Sequence, residues 1–235
     1  MRALRGIRSV PPRTVSATLA AIAVLTTVAG CGGTDPTLSV EETPVMLPSP
    51  PPSTGPEAAE LTATGGPLEA GRYTRAGFEP AITIELDGSW QAVQLANGFF
   101  DVQQDSGSPD VIAVQFARPS GIFRSGGSSE AVDSAEAAVN LVEANPDLAV
   151  VESSASRIGG LEGSQVTVEN AGVAHARVMQ VPPGALGIDP GRRLWIAFVD
   201  TPDGLLAIMV GGSVATWDEA LAAAESVLES VRIGP

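Results

Sequence analysis

Lysine is missing from this chain of 235 residues; all 13 basic residues are arginine. That gap points to a high-GC coding bias rather than to a function, and it removes the Gly-Lys-Ser/Thr step of a phosphate-binding loop. Histidine occurs once, as His175, and cysteine once, as Cys31. One of each cannot supply the three or four nitrogen and sulfur ligands of a zinc site, so neither a metal nor a cofactor is expected. A lone cysteine also excludes an internal disulfide, and an unpaired thiol on an exported chain is a liability. Stability must therefore come from a hydrophobic core, for which about 165 residues suffice in one domain. Aromatic residues are few, and none precedes Tyr73.

What is present begins at the N-terminus. Arg2, Arg5, Arg8 and Arg13 form a cationic start, and no acid precedes Asp35. Residues 15–29 are uncharged and mostly small or aliphatic. This is the layout of a secretory signal peptide, too short and small-sided for a comfortable membrane span. Val28-Ala29-Gly30-Cys31 closes it. That stretch looks like the lipobox of a bacterial lipoprotein. The resemblance implies cleavage between Gly30 and Cys31 and lipidation of the Cys31 thiol, by a diacylglyceryl group and often a third acyl chain. Each buried methylene contributes roughly 0.8 kcal/mol, and a single chain holds only weakly, so two or three would make attachment lasting. The expected location is the extracytoplasmic face of the cell membrane, with the membrane a partner through the lipid on Cys31.

Residues 32–67 hold eight prolines, including Pro50-Pro51-Pro52, and no aromatic residue. Such a composition does not bury enough apolar surface to offset ordering entropy, and 31–67 reads as a disordered tether. A flexible segment of this length would span about 30–35 Å root-mean-square, and more with its prolines. Four of the 13 arginines lie in residues 1–30, which leaves nine against 27 acids and a net charge of −18. That balance argues against nucleic acid and anionic headgroups as partners, because both are bound through cationic patches.

The rest, 68–235, reads as one domain. Ile82, Ile84 and Leu86 alternate with Thr83 and Glu85 as a half-buried strand, and Asp87-Gly88 is a hairpin signal. Trp90, Val93 and Leu95 suit a second strand only with a slip in spacing. Strands follow over 99–104 and 111–117, the latter buried on both faces, then a Gly- and Ser-rich loop over 118–129. A helix capped by Asp133 or Ser134 turns Ala135, Val139 and Val142 to one side and ends at Asn145-Pro146. Further strands are expected over 148–158, 161–169, 173–181, 193–200 and 205–210, the last two joined by Pro202-Asp203-Gly204. Thr216-Trp217-Asp218-Glu219 has the form of a capping box, and Trp217, Leu221, Ala224, Leu228 and Val231 mark the core face of a last helix, with Glu225 and Glu229 off it. The expectation is an α+β fold: a mostly antiparallel sheet of about seven or eight strands with two helices packed on it.

Pro190-Gly191-Arg192-Arg193-Leu194-Trp195-Ile196-Ala197-Phe198-Val199-Asp200, then a hairpin and a helix ending Ser230-Val231-Arg232-Ile233, is similar to the end of many uncharacterised exported proteins of high-GC bacteria. The finish also resembles PsbP-like domains, lipoproteins among them. The resemblance implies an antiparallel sheet with helices on it, in proteins that mainly bind or assemble. It brings no catalytic motif and bears on function only by fold analogy.

Residues with chemistry are sparse. His175 would be the base of any Ser-His-Asp device, yet no Gly-x-Ser-x-Gly elbow accompanies it. Glu85 with Asp87 is a possible carboxylate pair for glycoside hydrolysis. Asp101, Asp105 and Asp110 cluster without the spacing of an EF-hand. Arg192-Arg193 is a possible anion contact, and Gly159-Gly160, Gly163 and Gly211-Gly212 read as turns and bulges. No catalytic residue is assigned. Three readings follow. A non-catalytic binding or assembly module for an unknown envelope protein predicts an exposed apolar patch or groove. A carrier of a small apolar ligand or lipid predicts an enclosed cavity of roughly 300 Å³ or more. A cell-envelope hydrolase predicts acids with raised pKa values meeting in a cleft.

Overall fold

Ile82, Ile84 and Leu86 are buried to 3% exposure or less on a five-residue strand, as their alternation predicts. The same period-two logic builds most of the molecule. The computed structural model describes residues 57–234 except 63 and 76. The expected leader (1–30), Gly30, Cys31 and the tether as far as residue 56 lie outside the described residues.

The chain first runs through β1 (Ala59–Glu60), β2 (Gly71–Thr74), β3 (Ile82–Leu86), β4 (Gln91–Ala96), β5 (Phe99–Gln104), β6 (Ile112–Ala117), β7 (Gly121–Phe123) and β8 (Ser129–Glu130). The helix α1 (Ala135–Glu143) precedes β9 (Leu148–Ile158), β10 (Leu161–Asn170), β11 (Ala176–Val181), β12 (Gly184–Ile188), β13 (Arg192–Thr201) and β14 (Gly204–Ser213). The helix α2 (Trp217–Ser230) and β15 (Arg232–Ile233) close it. No helix of the described residues is long and apolar enough to cross a membrane.

The fold is α+β and mostly antiparallel, but one sheet does not hold all the strands. The largest has seven, in the order β4-β5-β6-β14-β13-β10-β9, with every neighbouring pair antiparallel. Two four-stranded sheets, β1-β2-β3-β15 and β12-β11-β7-β8, stand apart from it. The expectation of a single sheet fails first at Asp87-Gly88. The Asp87 carboxylate accepts from the Ser89 amide and hydroxyl, at 3.0 and 2.6 Å, and turns the chain out of one sheet into another. This is the local Asx geometry that competes with a hairpin. It fails again at short strands: β7 lies within the expected loop over 118–129, β8 straddles its end, and β12 is Gly-Ala-Leu-Gly-Ile. The slipped spacing around Val93 is a register shift between Ala92 and Gln94. The Pro202-Asp203-Gly204 hairpin forms, pairing Thr201 with Gly204.

Alternate residues of the central strands feed two cores. On β13, Trp195 and Ala197 join one cluster, while Leu194, Ile196 and Phe198 join the other. The first cluster takes in Phe100 and Phe116, stacked at 4.5 Å, the apolar side of β3, and Trp217, Ala220, Ala224 and Val227 of α2. The second takes in Ala135, Ala138, Val139 and Val142 of α1 with β11. Each helix thus belongs with a different face of the large sheet. The folded part also starts before residue 68: Leu61, at 2% exposure, belongs to the first core, and its amide donates to the Thr74 carbonyl at 2.8 Å.

Candidate binding site

Ser134 caps α1 by accepting from the Ala137 amide, as expected. α2 departs from expectation at both of its sequence signals. Thr216 makes no side-chain cap bond, because its ψ of 29° is outside the extended region that brings an N-cap hydroxyl under the first free amides. Trp217, Ala224 and Val231 of the expected stripe are buried, but Ala220 and Val227 complete it in place of Leu221 and Leu228. Close approach decides this. A Cβ built on Gly212 of β14 would stand 2.7 Å from the Ala220 Cβ. Where backbones come this near, only alanine-sized side chains fit, and a leucine would overpack the contact. Leu221 is left 37% exposed and Leu228 half-buried.

Those two leucines flank a groove of about 490 Å³, with Trp195 of β13 on one side and Asp218, Glu225 and Glu229 of α2 along it. All three carboxylates belong to exposed residues, and none joins an ion pair among the described residues. The nearby cations are engaged elsewhere. Arg193 donates to Glu169 from Nε at 2.8 Å and lies over the Trp217 ring at 5.4 Å. Arg232 donates to the Glu229 and Val231 carbonyls at 2.9 and 2.8 Å.

The other singled-out residues scatter. His175 Nδ1 lies 2.8 Å from Asp189 Oδ1 in an exposed pair. Arg192 holds the Pro109 and Val111 carbonyls at 2.9 and 2.8 Å; burial lowers its pKa, against the attraction of Asp110 and Asp189. It is a brace rather than a free anion contact. Glu85 and Asp87 both line a cleft with Ser226 and Ser230. There the Ser89 side-chain hydrogen bond holds Asp87 below the ordinary carboxylate range, the wrong direction for a general acid. Gly159 and Gly160, at φ of 60° and 87°, turn β9 into β10. Asp101, Asp105 and Asp110 do not gather, and among the described residues no three His, Cys, Asp or Glu side chains are placed to hold a metal ion.

Asp101 is the residue that spacing did not reveal. It is 4% exposed on β5; its Oδ2 accepts from Gln103 at 2.8 Å and from Gln115 at 3.3 Å, while its buried Oδ1 has no partner. Burial raises its pKa, against those two amide bonds. Its cross-strand neighbours Gln94 and Gln115 line an open cleft of about 280 Å³ with His175 and the Gly184–Gly187 backbone. Runs of Gln beside an Asp on adjacent strands are the only trace of this in the sequence.

No protein-family model and no curated protein matches the chain. Solved structures resemble it in outline. The solution structure of cyanobacterial PsbP (CyanoP) from a Synechocystis species aligns at 14% identity and TM-score 0.40, covering 74% of this chain and 98% of that one. The crystal structure of LpqN, described as involved in cell envelope biogenesis of Mycobacterium tuberculosis, aligns at 8% identity and TM-score 0.37, covering 76% and 90%. A Bacteroides thetaiotaomicron structure aligns at 8% identity and TM-score 0.33, covering 66% of this chain and 45% of that one. The resemblance of the C-terminal residues to PsbP-like domains thus meets an outline likeness to one such protein, at scores that carry neither family membership nor function across.

Proposed function

We propose that this chain is a lipoprotein of the extracytoplasmic face of the cell membrane, displaying a non-catalytic binding or assembly domain. Cleavage between Gly30 and Cys31 and acylation of Cys31 provide the anchor, and residues 32–56 provide the reach. The contact surface is the groove beside α2. The observation that carries this is the exposure of Leu221 beside Trp195 and the half-buried Leu228, on a helix that buries Trp217, Ala220, Ala224 and Val227. An apolar groove with a charged rim is the usual anatomy of a protein contact. The carrier reading has less support, because the clefts beside α2 and β12 are open ones.

Two measurements test it in cells. Radiolabelled palmitate should enter the wild-type chain and not Cys31→Ala, and the variant should leave the membrane fraction. A photo-reactive residue replacing Leu221 should give a discrete crosslinked adduct that the same residue at Glu136 on α1 does not. Equal labelling of Cys31→Ala removes the anchor, and equal crosslinking from both positions removes the groove. A hydrolase is the second reading, favoured by one observation: His175, Gln94 and Gln115 share a cleft next to the buried Asp101.

A further inference from the structure

Glu225 and Glu229 stand on the C-terminal half of α2, which has no basic residue in its last turn. Both placements oppose the helix. Like charges four residues apart repel, and carboxylates near a helix C-terminus face the negative end of the macrodipole. Asp218 and Glu219, in the first turn, are favourably placed by the same rule. Stability of α2 therefore gives no reason for Glu225 and Glu229. Their position in the groove does. Asp218, Leu221, Glu225, Leu228 and Glu229 share one stripe, acids alternating with leucines, with Trp195 alongside. Along the axis the three carboxylates are spaced by seven and four residues, about 10 Å and 6 Å.

We infer that the groove takes a basic amphipathic segment of a partner polypeptide, its cations set against Asp218, Glu225 and Glu229 and its apolar side chains against Leu221, Leu228 and Trp195. This rests on the groove being the contact surface. The charge complementarity is local. Among the described residues no arginine or histidine lines the groove, and Arg193 and Arg232 are held by Glu169, Trp217 and backbone carbonyls. A partner cation there relieves the repulsion between Glu225 and Glu229 and the conflict with the dipole together. The acids and leucines extend over three turns, a length suited to a peptide segment.

The test uses the full chain in detergent and two labelled synthetic peptides. One is amphipathic, with arginines spaced to match the three acids and leucines between them; the other has glutamate at every arginine. Fluorescence anisotropy should show binding of the arginine peptide only. Glu225→Gln with Glu229→Gln should weaken it about ten-fold or more, whereas Glu136→Gln with Glu143→Gln on α1, an identical change in net charge, should weaken it less than about two-fold. Methyl resonances of Leu221 and Leu228 should shift on binding. No binding of the arginine peptide, or equal losses from the two double variants, overturns the inference, the latter by reducing it to diffuse charge attraction. Spermine displacing the peptide at equal concentration overturns it too, in favour of a small polycation. A crosslink from Leu221 in cells without peptide binding would sink this inference and leave the contact surface standing. Peptide binding without that crosslink would do the reverse.

Discussion

The two helices belong with opposite faces of one sheet and treat their apolar side chains differently. α1 buries Ala135, Ala138, Val139 and Val142, and its remaining Leu141 packs against the same core. α2 buries Trp217, Ala220, Ala224 and Val227 and leaves Leu221 in the open. Both helices carry more apolar residues than one stripe needs. The difference lies beneath them. Under α2 the sheet offers Gly212, so the contact closes on alanines and displaces the leucines to its margin. A helix seated closely on a glycine in the sheet keeps alanines at the contact and leaves a leucine at its margin, which is how a well-packed element can also present an apolar surface.

Matched substitutions would break or sharpen that contrast. Val142→Asp on α1 puts a charge into a fully buried site and should cost more than about 4 kcal/mol in urea unfolding, enough to abolish folding in a protein of ordinary stability. Ala220→Leu on α2 should cost about 1–3 kcal/mol by overpacking against Gly212, while Ala222→Leu, one position pair outward, should be close to neutral. A near-neutral Ala220→Leu would mean that close approach does not select the alanines.

Asp101 lies in the row between Gln94 and Gln115, among residues that share the α1 face. It shows that this face is not uniformly apolar. Its pKa is raised in the folded state above the ordinary 3.8, so the folded chain holds a proton that the unfolded chain has released. That contribution is fully present below the unfolded pKa and is lost as pH rises through the folded one. The stability of wild type relative to Asp101→Asn should therefore fall as pH rises above the ordinary 3.8 in paired unfolding titrations. A parallel pair of curves would contradict it. Leu221→Gln, a neutral and helix-compatible change at a partly exposed site, should cost about 1 kcal/mol or less in stability, yet weaken binding of the arginine peptide about ten-fold.

The sequence showed what periodicity can show. Alternation located β3 and β10, apolar runs between turn signals located β5, β6, β9, β11, β13 and β14, and Ser134 was legible as a cap because its hydroxyl needs only local backbone. Long-range matters were hidden. Leu221 and Ala220 are adjacent in chain and both apolar, and only the Gly212 backbone, from another element, decides which faces in. Short strands such as β7, β8 and β12 lack a signal because two to five residues carry no period, and glycine weakens it further in β7 and β12. The burial of Asp101 depends on partners supplied by Gln103 and by Gln115, the latter from a neighbouring strand.

Leu61 sits at the seam between reach and fold. Its side chain is shut in the core, its amide is bonded to Thr74, and its carbonyl accepts from Arg75 Nη1 at 3.3 Å. A pull applied to the chain at residue 57 would meet β1 and then this plug, before the large sheet bears load. A soluble version trimmed at residue 68 would leave the socket empty and mimic a molecule already pulled open at its first latch, whereas one starting near residue 57 would keep the latch shut.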